Sequence, residues 1–328
     1  MNIPAHLIPV ADGVLVWAPA QADSWGLANC TLIVSGGEAA LVDTPYTTRL
    51  AEDMMAAARP HMTDARAVGT VINTHSNGDH CFSNSSFPSA EIITTAACAQ
   101  HAHADPTPAQ MQAVVHGNGE DALARYMPHH FGRFDYAGIE LAPATRTFSG
   151  QLALRIGGTE VTLLEVGPAH TQGDLIAFMP QQRVVCAGDV VFTGDHPVHW
   201  AGPLASIMDV CQDILALDPE VIVPGHGPLV GPDGLHAYMS YLHHVRNHLH
   251  AAYARRLSVE DAAAAIIAEG RYPELGLPER LVVLADMEYE HLAGISEPPD
   301  ILGRLTKAAR FAQDPRRATV LGSRSVVR

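Results

Sequence analysis

The sequence predicts an α/β protein: two mixed β-sheets packed between helices, with a helical insertion and a helical tail. Three observations lead to this reading. Apolar runs of strand length recur from Val14 to Val223, punctuated by Gly and Pro. From Ala96 to about Ala144, and again beyond His236, helical patterns replace them. Metal-binding residue types stand just after several of the apolar runs, where loops at one end of a sheet can bring them together.

In chain order, Val14–Trp17, Asn29–Val34 and Ala39–Val42 read as strands, with Ser35-Gly36-Gly37-Glu38 as a hairpin turn. Arg49 to Ala58 has helical character, Thr70 to Asn73 is a strand, and Glu91–Thr94 is the next. The insertion is rich in Met and aromatics (Met111, Tyr126, Met127, Phe131, Phe134, Tyr136), either as its own core or as an apolar lid. Strands return at Leu152–Ile156, Glu160–Val166, Leu175–Met179 and Arg183–Cys186. Ser206 to Leu217 is a helix and Val221–Val223 a strand. In the tail, Ser258 is placed to cap a helix with Glu260 in its first turn. Neither an internal repeat nor a low-complexity linker is evident.

Composition narrows the function. Over 328 residues, 47% are hydrophobic and 17% charged, which is a globular balance. A formal charge of −15 opposes binding to nucleic acid, which needs clustered Lys and Arg. Lys307 is the only lysine, a feature read as coding bias. The five cysteines (Cys30, Cys81, Cys98, Cys186, Cys211) have no CxxC spacing and an odd count, so free thiols in a reducing cytoplasm are expected. Met1-Asn2-Ile3-Pro4-Ala5 shows no basic n-region or apolar h-region, and no apolar run reaches the length of a membrane span. The expectation is a cytoplasmic protein with a small-molecule substrate.

The chemistry concentrates in His75-Ser76-Asn77-Gly78-Asp79-His80, directly after the Val68–Ile72 run. His170 in Pro168-Ala169-His170-Thr171, Asp189 in Ala187-Gly188-Asp189 and His226 in Pro224-Gly225-His226-Gly227 complete the set. Imidazole and carboxylate are zinc ligands at about 2.0–2.2 Å, and a bound water then has a pKa of about 7. Asp189 is the natural carboxylate to bridge two metals. His196, His199 and Trp200 follow Asp189 closely and are candidate pocket residues. His101, His103, His129, His130, His243, His244, His248 and His250 read as surface or helix-packing residues.

These residues resemble the metallo-β-lactamase superfamily, with its His-x-His-x-Asp-His motif followed by a separate His, a bridging Asp and a final His. The likeness extends over roughly residues 10 to 235. It implies an αββα sandwich over 1–235, with the insertion near 96–144 and a helical extension over 236–328. It also implies one or two zinc ions: His75 and His170 at the first, Asp79, His80 and His226 at the second, and Asp189 at both. Asn77 departs from the pattern, standing where the family has His. An amide oxygen is a weaker zinc ligand than imidazole, and Asn beside Gly is also a turn signal. Both roles are open for Asn77 at this level.

The resulting expectation is a zinc-dependent hydrolase of an ester, thioester or lactone, with Asp79 orienting the attacking water. Other readings are a metal-dependent aldol cyclase or thioesterase acting on aromatic polyketides, an inactive metal-binding homologue, and an oxygen-using iron enzyme. The helical tail is a candidate surface for homodimer formation.

Overall fold

The computed structural model describes residues 6–19, 23–62, 67–295 and 298–314; the sequence readings for residues 1–5 and 315–328 lie outside them. Twelve strands and ten α-helices are described. The strands are β1 (Ile8–Ala11), β2 (Val14–Trp17), β3 (Cys30–Ser35), β4 (Glu38–Val42), β5 (Thr70–Ile72), β6 (Glu91–Thr95), β7 (Arg146–Phe148), β8 (Gln151–Ile156), β9 (Thr159–Glu165), β10 (Leu175–Met179), β11 (Val184–Phe192) and β12 (Val221–His226). The helices are α1 (Thr48–Ala58), α2 (Gly78–Cys81), α3 (Ala96–His101), α4 (Pro108–His116), α5 (Ala122–Phe131), α6 (Leu204–Ala216), α7 (Pro232–Ala254), α8 (Val259–Glu269), α9 (Arg280–Leu292) and α10 (Ile301–Ala312).

One sheet orders its strands β1-β2-β3-β4-β5-β6-β7 and the other β12-β11-β10-β9-β8. Both are mixed: β1 to β4 run antiparallel before three parallel pairings, and β11 pairs with β12 in parallel. Alternation along each strand explains the layering. Val14 and Val16, with Ile33, Ala40, Val42, Ile72 and Ile93, face Val161, Leu163, Leu175 and Ala177 across the inter-sheet core. Leu15, Trp17, Leu32, Leu41 and Val71 point the other way, into the helical layer. Truncating Leu163 to alanine at this dry interface is expected to cost about 2–5 kcal/mol.

The edge strands β1 and β7 are absent from the sequence reading. β1 is a short apolar run, but Pro9 interrupts it and its register is irregular, and β7 is three mostly exposed residues with one apolar side chain. A second correction concerns β11, which does not stop at Cys186. It continues through Asp189 to Phe192, so this aspartate lies within a strand, next to register shifts on both sides of Gly188.

The insertion forms α3, α4 and α5, and Met111, Tyr126, Met127, Phe131, Phe134 and Tyr136 are all buried. The tail begins at Pro232, which suits the first helical turn because it needs no N–H there. Ser258 caps α8 by accepting from the Asp261 amide. Residues 280–288 of α9 are buried on every face, and α10 packs on α9 and on α5. Tail and insertion therefore meet over the same end of the sandwich. Among the described residues no helix is long and apolar enough to cross a membrane.

Candidate metal centre

β4 and β5 are parallel neighbours with Val42 opposite Ile72, so both deliver their following residues to one edge of the sheet. Asp43 lies there in a left-handed conformation (φ 63°) and receives the Thr74 amide at 2.7 Å and the Thr74 hydroxyl at 2.8 Å. The chain then passes through His75 to Asn77, extended at φ −62°, ψ 143°, and turns into α2, which carries Asp79 and His80. From the other sheet, β11 supplies Asp189 and β12 ends on His226. The sheets are stitched at this edge by Leu175 N–H to Thr74 O (2.9 Å) and Asn29 N–H to Gly225 O (2.7 Å).

Two glycines make the convergence possible. Gly188 adopts φ 52°, and a Cβ there meets the Thr74 side chain at 2.8 Å. At Gly225 a Cβ falls 1.8 Å from Asp189 Oδ1, so only glycine leaves room for the carboxylate.

The ligand atoms gather tightly. Asp189 Oδ1 lies 3.1 Å from His80 Nε2 and 3.5 Å from His226 Nε2. Its Oδ2 lies 3.4 Å from His170 Nε2 and 3.9 Å from His75 Nε2. Asp79 Oδ2 is 3.3 Å from His226 Nε2. Ligands of a tetrahedral zinc ion stand about 3.3 Å apart, given bonds near 2.05 Å. Two trios have all ligand atoms within 4.8 Å of one another: His75, His80, Asp189, and Asp79, His80, His226. The second matches the set implied by the resemblance. In the first, His80 takes the place that the resemblance gives to His170.

What stands behind each ring fixes its tautomer. His80 Nδ1 donates to Asp43 Oδ2 (2.8 Å), His170 Nδ1 to Val198 O (2.7 Å) and His226 Nδ1 to Leu27 O (3.2 Å). Thr74 spends its hydroxyl proton on Asp43, so its oxygen accepts from His75 Nδ1 at 3.0 Å. All four Nε2 atoms are thereby turned to the cluster. The residues fit a metal: His75 Nε2 is buried without any hydrogen-bond partner, turned into the cluster.

The charges agree. Burial keeps His75 neutral and brings His170 down to about 4. Burial also opposes charge on His80 and His226, but Asp189 outweighs it with help from Asp43 and Asp79 respectively, raising His80 well above its usual range and His226 to about 9. Without a metal, protons on these two rings supply the positive charge that the carboxylates require.

Asn77 sits at the rim of this set. Its amide oxygen is 2.7 Å from His170 Nε2 and accepts from Trp200 Nε1 at 3.1 Å, while Nδ2 donates to Asp105 at 2.9 Å. His170 is neutral with its proton on Nδ1, so Nε2 and the amide oxygen are two acceptors face to face. A cation beside them relieves that contact.

A cleft opens over the cluster, with Trp25, Phe131, Phe192 and Trp200 among its walls. Trp200 lines it. His196 and His199 do not: His196 bonds to Tyr241 OH (2.7 Å) and His199 to Tyr238 OH (3.0 Å), both buried behind the wall. Of the insertion residues singled out, Met111 and Phe131 reach the cleft, and the others are core. Arg280, Ile301 and Leu305 of the tail also line it. Sequence reasoning missed Asp43 and Arg280. An aspartate ending an apolar run beside the motif strand was a usable signal for the first; a single arginine in a helix gave none for the second.

Two mixed sheets between helices, with a histidine–aspartate cluster at their common edge, define a metal-site sandwich. The chain belongs to the metallo-beta-lactamase superfamily, whose family model matches residues 23–226. Members are mostly metal-dependent hydrolases. Among solved structures, a metallo-beta-lactamase from Pontibacter korlensis is similar at 15% identity, with 73% of this chain and 98% of that one covered and a TM-score of 0.51. The inverting sec-alkylsulfatase Pisa1 from Pseudomonas sp. aligns at 14% identity over 88% of this chain with a TM-score of 0.63, and the chain spans half of its length. At such identities the likeness is one of fold. The 2,4-dinitroanisole O-demethylase subunit alpha of Nocardioides sp. (strain JS1661) is 38% identical over 88 residues, about a quarter (26%) of either chain.

Proposed function

We propose that the chain is a zinc-dependent hydrolase acting on an ester, thioester or lactone of a mid-sized, partly apolar small molecule. The observation that carries this reading is the convergence of four Nε2 atoms and two aspartates, with His75 Nε2 unpartnered, on the floor of an aromatic cleft. His75, His170 and Asp189 would hold one ion, with Asn77 beside them, and Asp79, His80, His226 and Asp189 the other. Bound there, zinc supplies a Lewis acid for the carbonyl and a water with a pKa of about 7. Asp79 borders the cleft and takes and orients the proton of the attacking water. Trp25, Phe192 and Trp200 bind the apolar body of the substrate and exclude bulk water from the reacting bond.

A second reading, cleavage of an aryl methyl ether, is favoured by the 38% identical segment shared with the O-demethylase subunit and by the aromatic walls. One experiment separates the readings. Purified protein is assayed against p-nitrophenyl esters, a thioester, a lactone, 2,4-dinitroanisole and a poly-β-ketone, before and after chelation and with zinc, manganese or iron(II) restored. Hydrolysis of the carbonyl substrates, lost on chelation and regained with zinc, is the expected result. Turnover of the ether alone establishes the second reading. A ring-closed product without hydrolysis overturns both in favour of a cyclase, and a metal-loaded protein inert to the whole panel is a binding protein.

A further inference from the structure

Arg280 opens α9, outside the residues matched by the family model, and is more completely buried than the other buried arginine among the described residues, at 2% exposure against 4% for Arg304. It nonetheless lines the cleft, together with Asp189 and His226. A guanidinium stays charged in proteins, and burying a charge is costly unless it is paired. Here the compensation is partial. Cζ lies 3.9 Å over the Trp25 ring, a cation–π contact, and Nη1 donates to His196 O at 3.1 Å. Nε has no hydrogen-bond partner, and among the described residues no ion pair engages the group. Asp195, Glu279 and Asp189 attract it only from beyond ion-pair distance, and the first two also accept hydrogen bonds from other donors. Asp195 accepts from the Asp23 amide at 2.9 Å, and Glu279 from Tyr126 OH at 2.7 Å.

Position adds to the argument. Arg280 Cζ is 5.9 Å from the Phe192 ring, and that ring stacks on His226 at 5.4 Å with 11° between the planes. The cation is thus one aromatic ring away from the metal cluster, in a cleft whose walls are otherwise largely apolar. We propose that Arg280 is the recognition group for a carboxylate on the substrate, held by the guanidinium fork while the apolar body lies across the aromatic walls and reaches the cluster. A planar oxyanion satisfies the donors that the fold leaves open, and it completes the pairing of a buried charge. The substrate class is then an apolar acid carrying the reacting bond at a distance from its carboxylate. This rests on the cleft being the substrate site, as in the function proposed above, and not on which bond is cleaved.

The test uses the metal-loaded protein and two probes of one shape, 4-phenylbutyrate and the neutral 4-phenylbutyramide, titrated calorimetrically. Wild type is expected to prefer the carboxylate at least about tenfold, the range for hydrogen bonds to a charged group. In Arg280→Met the preference is expected to fall to near one, with metal content and thermal transition checked on the same samples. Arg280→Lys keeps a charge but not the fork, and is expected to lower the preference at least about threefold. Equal binding of the two probes by wild type overturns the proposal whether or not either variant folds. A wild-type preference retained in a folded, metal-loaded Arg280→Met also overturns it, because the anion then sits on the metal ions. Binding is read without turnover, so a failed hydrolysis assay and a failed carboxylate preference remain distinct results.

Discussion

Among the described residues, two clusters of histidine and carboxylate could hold a metal ion, and they differ less in composition than in what stands behind the rings. Around Asp189, every Nδ1 is held by a carboxylate, a hydroxyl or a carbonyl, and every Nε2 turns inward. The second cluster lies in the tail. His244 and His248, one turn apart on α7, approach Glu269 Oε2 at 2.9 and 3.2 Å. By local spacing this is a plausible chelating pair. Yet His244 Nδ1 accepts from Arg271 at 2.9 Å, which leaves its proton on Nε2, facing Glu269. The lone pair needed by a metal points at an arginine, and Glu269 is 41% exposed to water. Glu269 stands within 3.2 Å of both rings, whereas His75 Nε2 is 3.9 Å from the Asp189 carboxylate and makes no hydrogen bond. The orientation imposed from behind, more than the ligand inventory, separates a metal centre from a polar patch.

The comparison can be broken most severely at Asp189. Asp189→Ala removes the carboxylate reached from all four rings; metal content is expected to fall, and hydrolysis to drop about a thousandfold or more, the equivalent of several kcal/mol of transition-state stabilisation. Full metal content in that variant would show that the cluster is not the centre. Asp43→Asn tests the support alone. It leaves every proposed ligand in place but loses the acceptor behind His80, so metal affinity, read by chelator competition, is expected to weaken about 10–100-fold.

Acidity sharpens the same contrast. His226 has a folded pKa of about 9 in the metal-free protein, raised above its unfolded value near 6.5. Its contribution to the stability of the metal-free fold is therefore complete below about pH 6.5 and lost as pH rises through about 9. A metal must displace that proton. With the proton on His80 displaced as well, apparent affinity is expected to rise more than tenfold, up to about a hundredfold, per pH unit below about pH 9, with proton release detectable by titration in two buffers of different ionisation enthalpy. The smallest effect belongs to the tail. Glu269→Gln breaks a half-exposed ion-pair contact, so metal content should not change and stability should shift by no more than about 1 kcal/mol in a denaturant melt. Loss of one metal per chain in this variant would collapse the distinction between the clusters.

Much of the centre was legible because its residues follow strands. A histidine or aspartate after an apolar run has few places to go except the sheet edge, and the runs at Val68–Ile72 and Val221–Val223 marked that edge for His75 and His226. Asp189 was found from its neighbours, although its strand continues past it, because a bulge at Gly188 lies outside what periodicity reports. His196 and His199 were misplaced for the opposite reason. Nearness in sequence to Asp189 says nothing about which side of the wall a ring occupies, and tyrosines 45 and 39 residues downstream hold them behind it.

The sequence alone determined the class of the fold, the chemical identity of the candidate ligands and their order along the chain, since strand periodicity and ligand type are local properties. Only the tertiary structure decided which imidazole nitrogen faces inward, that Asn77 is held among His170, Trp200 and Asp105, and that an arginine from the tail enters the cleft. Those features depend on contacts between segments far apart in the chain, such as Asp43 with His80, Leu27 with His226 and Arg280 with Trp25. Such contacts follow from how the sheets and helices pack, and no window of sequence contains them.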